Sequence, residues 1–216
     1  MSQQPATTVP TPHDRTSYRR FAKSYERMSL RDGEQRFMNP LREEVVGQAH
    51  GLVLEIGAGN GLNFAFYSPD TVEQVEATEP SSAMLNYARE RAATARVPVN
   101  LTQVPVESLP FADESFDSAV VTLVFCSVDD PLRGLGEVRR VLKPGGTLLM
   151  VEHVRARGVI VATLQNIATP ITRLTAGNCH WNRDTERTVK QAGFKIEQRR
   201  EIGWFGMPFV VLRAAK

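Results

Sequence analysis

The chain has 216 residues, 42% hydrophobic and 23% charged, with a formal net charge of +2. That is the length and balance of one ordinary globular domain, and so small a basic excess, with no block of Lys and Arg, gives no argument for nucleic acid, which is not expected as a partner. Cys126 and Cys179 are the two cysteines; far apart and without a CxxC, they indicate neither a disulfide framework nor a metal site. No basic start leads into an apolar segment and no run of 18 apolar residues occurs, so the expected location is the cytoplasm.

Residues 1–14, "MSQQPATTVPTPHD", are polar and rich in Pro and Thr, and a mobile tail is expected. One domain is expected over 15–216. Its first part, 15–48, reads as a helical cap in which Tyr18, Phe21, Tyr25 and Met28 recur at three- and four-residue spacing. Such a stripe either packs on the core or closes over a site. "GLVLEIG" (51–57) reads as a buried strand, with "NFAFYS" beginning a helix behind it. "VEQVEATEP" (72–80) is a second strand, and Ser81 or Ser82 caps the helix that carries Leu85, Ala88 and Ala92. "VNLTQVP" (99–105) is a third. The continuous apolar run "FDSAVVTLVFCSV" (116–128) has the pattern of a strand covered on both faces. A helix follows with Leu132, Leu135, Val138 and Val141 inward, stopped by Pro144 and two glycines; "GTLLMVEHV" (146–154) is the fifth strand. After a long apolar segment (158–181), a helix over "TERTVKQAGF" precedes two closing strands, "KIEQRREIGW" and "MPFVVLRAAK".

This alternation predicts an α/β fold: a Rossmann-like, mostly parallel sheet of seven strands with helices on both faces and an antiparallel last strand. Ligands of such sheets sit at the carboxyl ends of the strands. There the stretch "EIGAGNG" packs Gly57, Gly59 and Gly61 into five positions. A P-loop needs a lysine that is absent, and the dinucleotide fingerprint needs a glycine at Leu62. Glu55, two residues before the glycines, would repel a pyrophosphate but accept hydrogen bonds from an ammonium. Glu79, at the end of the second strand, stands where a carboxylate takes both ribose hydroxyls. A nucleoside with an amino-acid tail and no phosphate is S-adenosylmethionine.

With these residues the chain resembles the class I S-adenosylmethionine-dependent methyltransferases. "VLEIGAGNG", "VEATEPSSAML", "VESLPFADESFDSAVVTLVFCSV" and "EVRRVLKPGGTLLMVEHV" match that family's segments in order. "LPFADESFD" and "VLKPGG" resemble the branch of ubiquinone and menaquinone methyltransferases. "GLNFAFYSP", "TLVFCSV", "MVEHV" and "GNCHWNRDT" resemble the thiol S-methyltransferases, from whose membrane-associated animal members the chain departs by lacking an N-terminal anchor.

The resemblance assigns Glu55, Gly57, Gly59 and Gly61 to the methionine end of the cofactor, with Asn63 assisting. It puts Glu79 on the ribose, Pro80 and Met84 beside ribose and adenine, and Val106 and Glu107 around the adenine. Thr122, Leu123 and Val124 fall near the ammonium and sulfonium. Methyl transfer from a sulfonium asks chiefly for alignment and exclusion of water. His153, ending the fifth strand, is either a base or a structural histidine; His180 is a second candidate. Segment 158–181 is expected to roof the substrate pocket, which Phe21, Tyr25, Met28, Cys126, His180, Trp181 and Trp204 would line. The expected acceptor is a small lipophilic molecule, a thiol foremost; the alternatives are a phospholipid headgroup amine or a quinol, with transient contact to a membrane surface. No metal is required. A nicotinamide-dependent oxidoreductase and a cofactor-binding protein without turnover are the competing classes, the first opposed by Glu55 and the glycine spacing.

Overall fold

The computed structural model describes residues 16–204 and 206–216, with side chains from residue 19 onward; the expectations for residues 1–14 and for the ring of Tyr18 fall outside this range. Two helices, α1 (Thr16–Ser29) and α2 (Asp32–Val46), precede β1 (Gly51–Ile56). Then come β2 (Val72–Thr78), α3 (Ser82–Ala92), β3 (Val99–Thr102), β4 (Phe116–Thr122), α4 (Pro131–Val141) and β5 (Leu142–His153). The chain closes with α5 (Val159–Thr175), α6 (Thr185–Gln191), β6 (Lys195–Trp204) and β7 (Met207–Ala215).

The seven strands form one sheet in the order β3-β2-β1-β4-β5-β7-β6. β1 runs parallel to β2 and β4, and β4 parallel to β5. β7 is antiparallel to both its neighbours, so it is the reversed strand of the expected fold. Side chains alternate along each strand, and both faces are covered. Leu54, Ile56, Val121 and Met150 pack under α4 and α6, whereas Val53, Val120 and Val151 pack with Met38 and Val45 of α2. The two sheet edges carry no such cover requirement: β3 is only four residues long, and β6 is largely exposed and charged. The order reverses between β1 and β4, which opens a crevice at their carboxyl ends.

Several local expectations are corrected. Behind β1 there is no α-helix but a five-residue 3-10 turn, Leu62–Phe66. Ser68 precedes Pro69, which disfavours helical backbone, and Tyr67 leaves the turn extended to bury its ring. β4 ends at Thr122 rather than Val128, because Leu123 takes a left-handed φ of 58° and the N–H groups of Val124 and Phe125 turn onto the Glu152 carboxylate, each at 2.7 Å. β3 stops at Thr102, and β5 begins at Leu142, its pairing with β4 interrupted by a bulge. In α4, Leu135, Val138 and Val141 are buried but Leu132 is 48% exposed. It sits in the first turn, where Gly134 takes the inward place against Val106 and Phe125.

Candidate active site

The crevice is a cavity of about 1000 Å³ including its mouth. Its floor is the loop after β1 (Gly57, Ala58, Gly59, Asn60, Leu62, Asn63). Its sides are Glu79, Pro80 and Met84 after β2, Val106 and Glu107 after β3, and Thr122, Leu123 and Val124 after β4. Phe21 and Tyr25 of α1 and Arg42 of α2 close the top.

Each glycine of the motif has a distinct reason. Gly57 has φ 60°, and a Cβ there would stand 2.7 Å from both Val124 methyl groups. Gly59 has φ 56° and donates its N–H to Glu79 Oε2 at 3.0 Å. Gly61 does not line the cavity: a Cβ would stand 2.7 Å from the Phe64 ring and 3.1 Å from the Ala88 Cα, so it lets α3 pack closely.

Glu79 is 7% exposed; its second oxygen accepts from the Ser81 N–H at 2.8 Å. Each carboxylate oxygen therefore keeps a lone pair for a further donor, the pattern a ribose diol needs. Burial, opposed by these two backbone bonds, pushes its carboxyl up to about 7. Glu55 lies behind the wall, 1% exposed. It accepts from Asn63 Nδ2 at 3.1 Å and the Tyr67 hydroxyl at 2.7 Å, and burial pushes it to about 7 as well. Asn63 also donates to Thr122 Oγ1 at 3.1 Å. Glu55 itself does not line the cavity; Asn63, which donates to it, does.

Two parts of the site escape a reading of the sequence. Arg42 is 2% exposed, lines the cavity and leaves its Nε without a hydrogen-bond partner; Nη1 donates to Asn39 Oδ1 at 3.1 Å. Its only signal in the sequence is a cation inside the apolar spacing of Met38, Leu41 and Val45. The second part is a clamp. Glu26 of α1 pairs with Arg91 of α3 at 2.6 Å and accepts from Asn60 of the glycine loop at 2.6 Å, while Arg91 donates to the Asn60 carbonyl at 2.8 Å. α1 therefore both packs on the molecule and roofs the site.

Other expected pocket residues stand elsewhere. Met28 is 43% exposed and does not line the cavity. Trp204, the last residue of β6, stacks on Phe37 with ring centroids 4.8 Å apart and does not line the cavity. From segment 158–181 only Gly177 reaches the cavity; His180 and Trp181 do not line it. The His180 N–H is tied to the Cys126 carbonyl at 2.8 Å. Cys126 and His153 also lie behind the lining, with His153 Nε2 2.9 Å from Cys179 Sγ. Among the described residues that line the cavity, the titratable side chains are Tyr25, Arg42, Glu79, Glu107 and Asp129. Glu107 is engaged by the N–H groups of Asp129 and Asp130, and burial, the largest influence on it, raises the Tyr25 phenol.

Comparison with known proteins agrees with this geometry. Residues 54–150 match the model of the methyltransferase domain. The thiol S-methyltransferase TMT1B of Rattus norvegicus is 31% identical over 193 residues, covering 87% of this chain and 76% of that protein. The phosphatidylethanolamine N-methyltransferase of Cereibacter sphaeroides is 35% identical over 121 residues, 55% of this chain and 59% of that one. A solved Thermotoga maritima S-adenosylmethionine-dependent methyltransferase, described as a possible histamine N-methyltransferase, superposes with a TM-score of 0.66 at 27% identity, covering 93% of this chain and 98% of its own. The chain belongs to the class I S-adenosylmethionine-dependent methyltransferases.

Proposed function

We propose that the chain methylates the sulfur of a small lipophilic thiol. S-adenosylmethionine, when bound, supplies a methyl group already activated on a sulfonium. On this reading Glu79 accepts from the ribose hydroxyls, and the Gly57–Gly59 backbone lets the methionine end lie close to the loop. Arg42 faces the carboxylate, and the Asn63 carbonyl, oriented by Glu55 and Thr122, faces the ammonium. Pro80, Met84, Val106 and Glu107 frame the adenine. Phe21 and Tyr25, held down by the Glu26 clamp, exclude water from the place where acceptor and methyl group must line up.

The observation that carries the choice of a thiol is the lining itself. Among the described residues that line the cavity there is neither histidine nor lysine, its carboxylates Glu79, Glu107 and Asp129 each already accept hydrogen bonds from the protein, and its one phenol is held in the neutral form. A thiol, which ionises near pH 8.5 unaided, needs no base there, whereas a phenol or alkyl ammonium does. The similarity to TMT1B over most of the chain supports the same acceptor. A panel of thiols, phenols, amines and phospholipids, incubated with isotopically labelled cofactor and read by mass spectrometry, should give S-methylated products first. Turnover confined to amines or phenols would overturn the thiol reading.

One observation favours an acceptor met at a lipid surface. Among the described residues no helix is long and apolar enough to cross a membrane. Yet α5 turns Val159, Ile160, Leu164, Ile167, Ile171 and Leu174 outward, each 60% exposed or more, with Arg157 at one end and Arg173 at the other. An aliphatic face between cations suits the boundary of an anionic bilayer. Flotation with anionic vesicles tests this contact separately from the chemistry.

A further inference from the structure

We propose that Cys126, His153 and Cys179 form a binding site for one zinc-like divalent cation. They come from three places that the chain order keeps apart: the turn after β4, the last residue of β5 and the loop after α5. Their ligand atoms nevertheless all lie within 4.8 Å of one another. Zinc bound by two thiolates and an imidazole in a tetrahedral arrangement holds its ligand atoms about 3.5–3.8 Å apart, so small side-chain rotations suffice. All three residues are buried, at 3%, 7% and 8% exposure. Two sulfurs and an imidazole are a soft donor set, which selects zinc over magnesium or calcium.

The surroundings are built to hold this arrangement without help from the ligand atoms. The Cys126 carbonyl accepts from the His180 N–H at 2.8 Å, and the Cys179 carbonyl from the Thr172 hydroxyl at 2.7 Å. Asn178 donates to the Ser127 carbonyl at 2.9 Å, fastening the loop after α5 to the turn after β4. A second observation is independent of the cluster's own contacts. Among the described residues four buried side-chain polar atoms lack a hydrogen-bond partner, and two of them, Glu152 Oε2 and His153 Nδ1, are on consecutive residues here. An unpartnered buried carboxylate oxygen calls for a nearby ion or water. Glu152 also holds the N–H groups of Val124 and Phe125, next to Cys126. Three protein ligands leave a fourth tetrahedral position to solvent. The site lies behind the cavity wall: Val124 and Ser127 on one side of it and Gly177 on the other line the cavity, so the ion would brace that wall.

The test starts from purified full-length chain stripped with a chelator and kept reduced. Zinc chloride and cobalt chloride alone are then titrated in. One equivalent is expected to bind, and the cobalt form should show thiolate-to-cobalt charge-transfer absorption in the near ultraviolet. Because the chain has two cysteines, that band can report only on Cys126 and Cys179. Cys126→Ser and Cys179→Ser should each weaken binding at least tenfold and reduce the band, whereas His50→Gln, on the opposite end of the sheet, should change neither. If a cysteine variant fails to fold, the cobalt spectrum of the unaltered chain decides alone. Absence of stoichiometric binding, cobalt bound without the charge-transfer band, or a Cys126–Cys179 disulfide in freshly purified chain in place of metal would each overturn the proposal. The methyltransferase assignment would stand in every case.

Discussion

Glu79 and Arg42 are both buried ionisable groups at the cavity, and on the proposed reading each meets a hydrogen-bonding group of a bound nucleoside amino acid. Hydrogen bonds to a charged group contribute about 1.5–3 kcal/mol, which is roughly a ten- to hundredfold change in affinity. Glu79→Gln keeps the shape but turns one acceptor into a donor, so the cofactor's Kd in calorimetry should rise by about that factor; an unchanged Kd would remove Glu79 from the ribose. Its carboxyl sits at about 7 in the free chain, and only the ionised form accepts from both hydroxyls. Binding must therefore release a proton below that value, and affinity should weaken as pH falls from 8 to 6. In Glu79→Gln the remaining slope should be the smaller one due to Glu55, also at about 7. Arg42→Met should weaken S-adenosylmethionine by about tenfold or more and leave 5′-methylthioadenosine, which has no carboxylate, nearly unaffected. Equal losses for both ligands would make Arg42 a structural residue only.

At the scale of elements, what could be read in the sequence is what local spacing dictates. The glycine loop, the strand alternation and the Ser81 cap, which accepts from the Met84 N–H at 3.4 Å, each depend on residues a few positions apart. Gly57→Ala shows how tightly the loop is specified. A left-handed backbone and a Cβ 2.7 Å from Val124 should together cost about 1–3 kcal/mol of stability and abolish cofactor binding, measurable as a lowered melting temperature that ligand no longer raises. The orientation of α5 could not be read this way. Its apolar residues point outward because Gln165 is drawn in, donating to the Val154 carbonyl at 2.9 Å and accepting from the Ala156 N–H at 2.7 Å, while Thr169 and Thr172 bury beside it. Hydrophobic periodicity locates a face but not the side on which tertiary hydrogen bonds will seat it. Changing Leu164, Ile167 and Ile171 together to Ser should leave the melting temperature within a degree or two and abolish vesicle flotation; a large loss of stability would mean that this face is covered in solution. Arg42 and the Cys126–His153–Cys179 cluster were illegible for the same reason, since their partners lie on elements distant in sequence.

For the molecule as a whole, the buried carboxylates couple folding, pH and ligand. Glu55 and Glu79 are pushed by burial to about 7, against about 4.3 for an unfolded glutamate. Between these values the folded chain binds more protons than the unfolded chain, so its stability falls as pH rises. Glu152, raised by burial to about 8, extends the same slope upward. The ion-paired acids act in another range. In Asp117 and Glu186 burial is outweighed by Lys143 and Arg199, and Arg140 lowers Glu137. What these three contribute is lost only below the ordinary carboxylate range, outside this window. The free chain should therefore melt at a lower temperature at pH 8 than at pH 5.5, although most surface charges do not change between the two. On the proposed reading, bound cofactor supplies donors to the ionised Glu79 and, through Asn63, an ammonium near Glu55, so the rise in melting temperature at saturating S-adenosylmethionine should grow with pH over the same interval. Paired scans of the free and saturated chain at pH 5.5, 6.5, 7.5 and 8.5 read both slopes at once. A free chain that grows steadily more stable over this range would show that these acids ionise in the folded state near their ordinary value. The site would then be wet, and the affinity of Glu79 for ribose would owe nothing to burial.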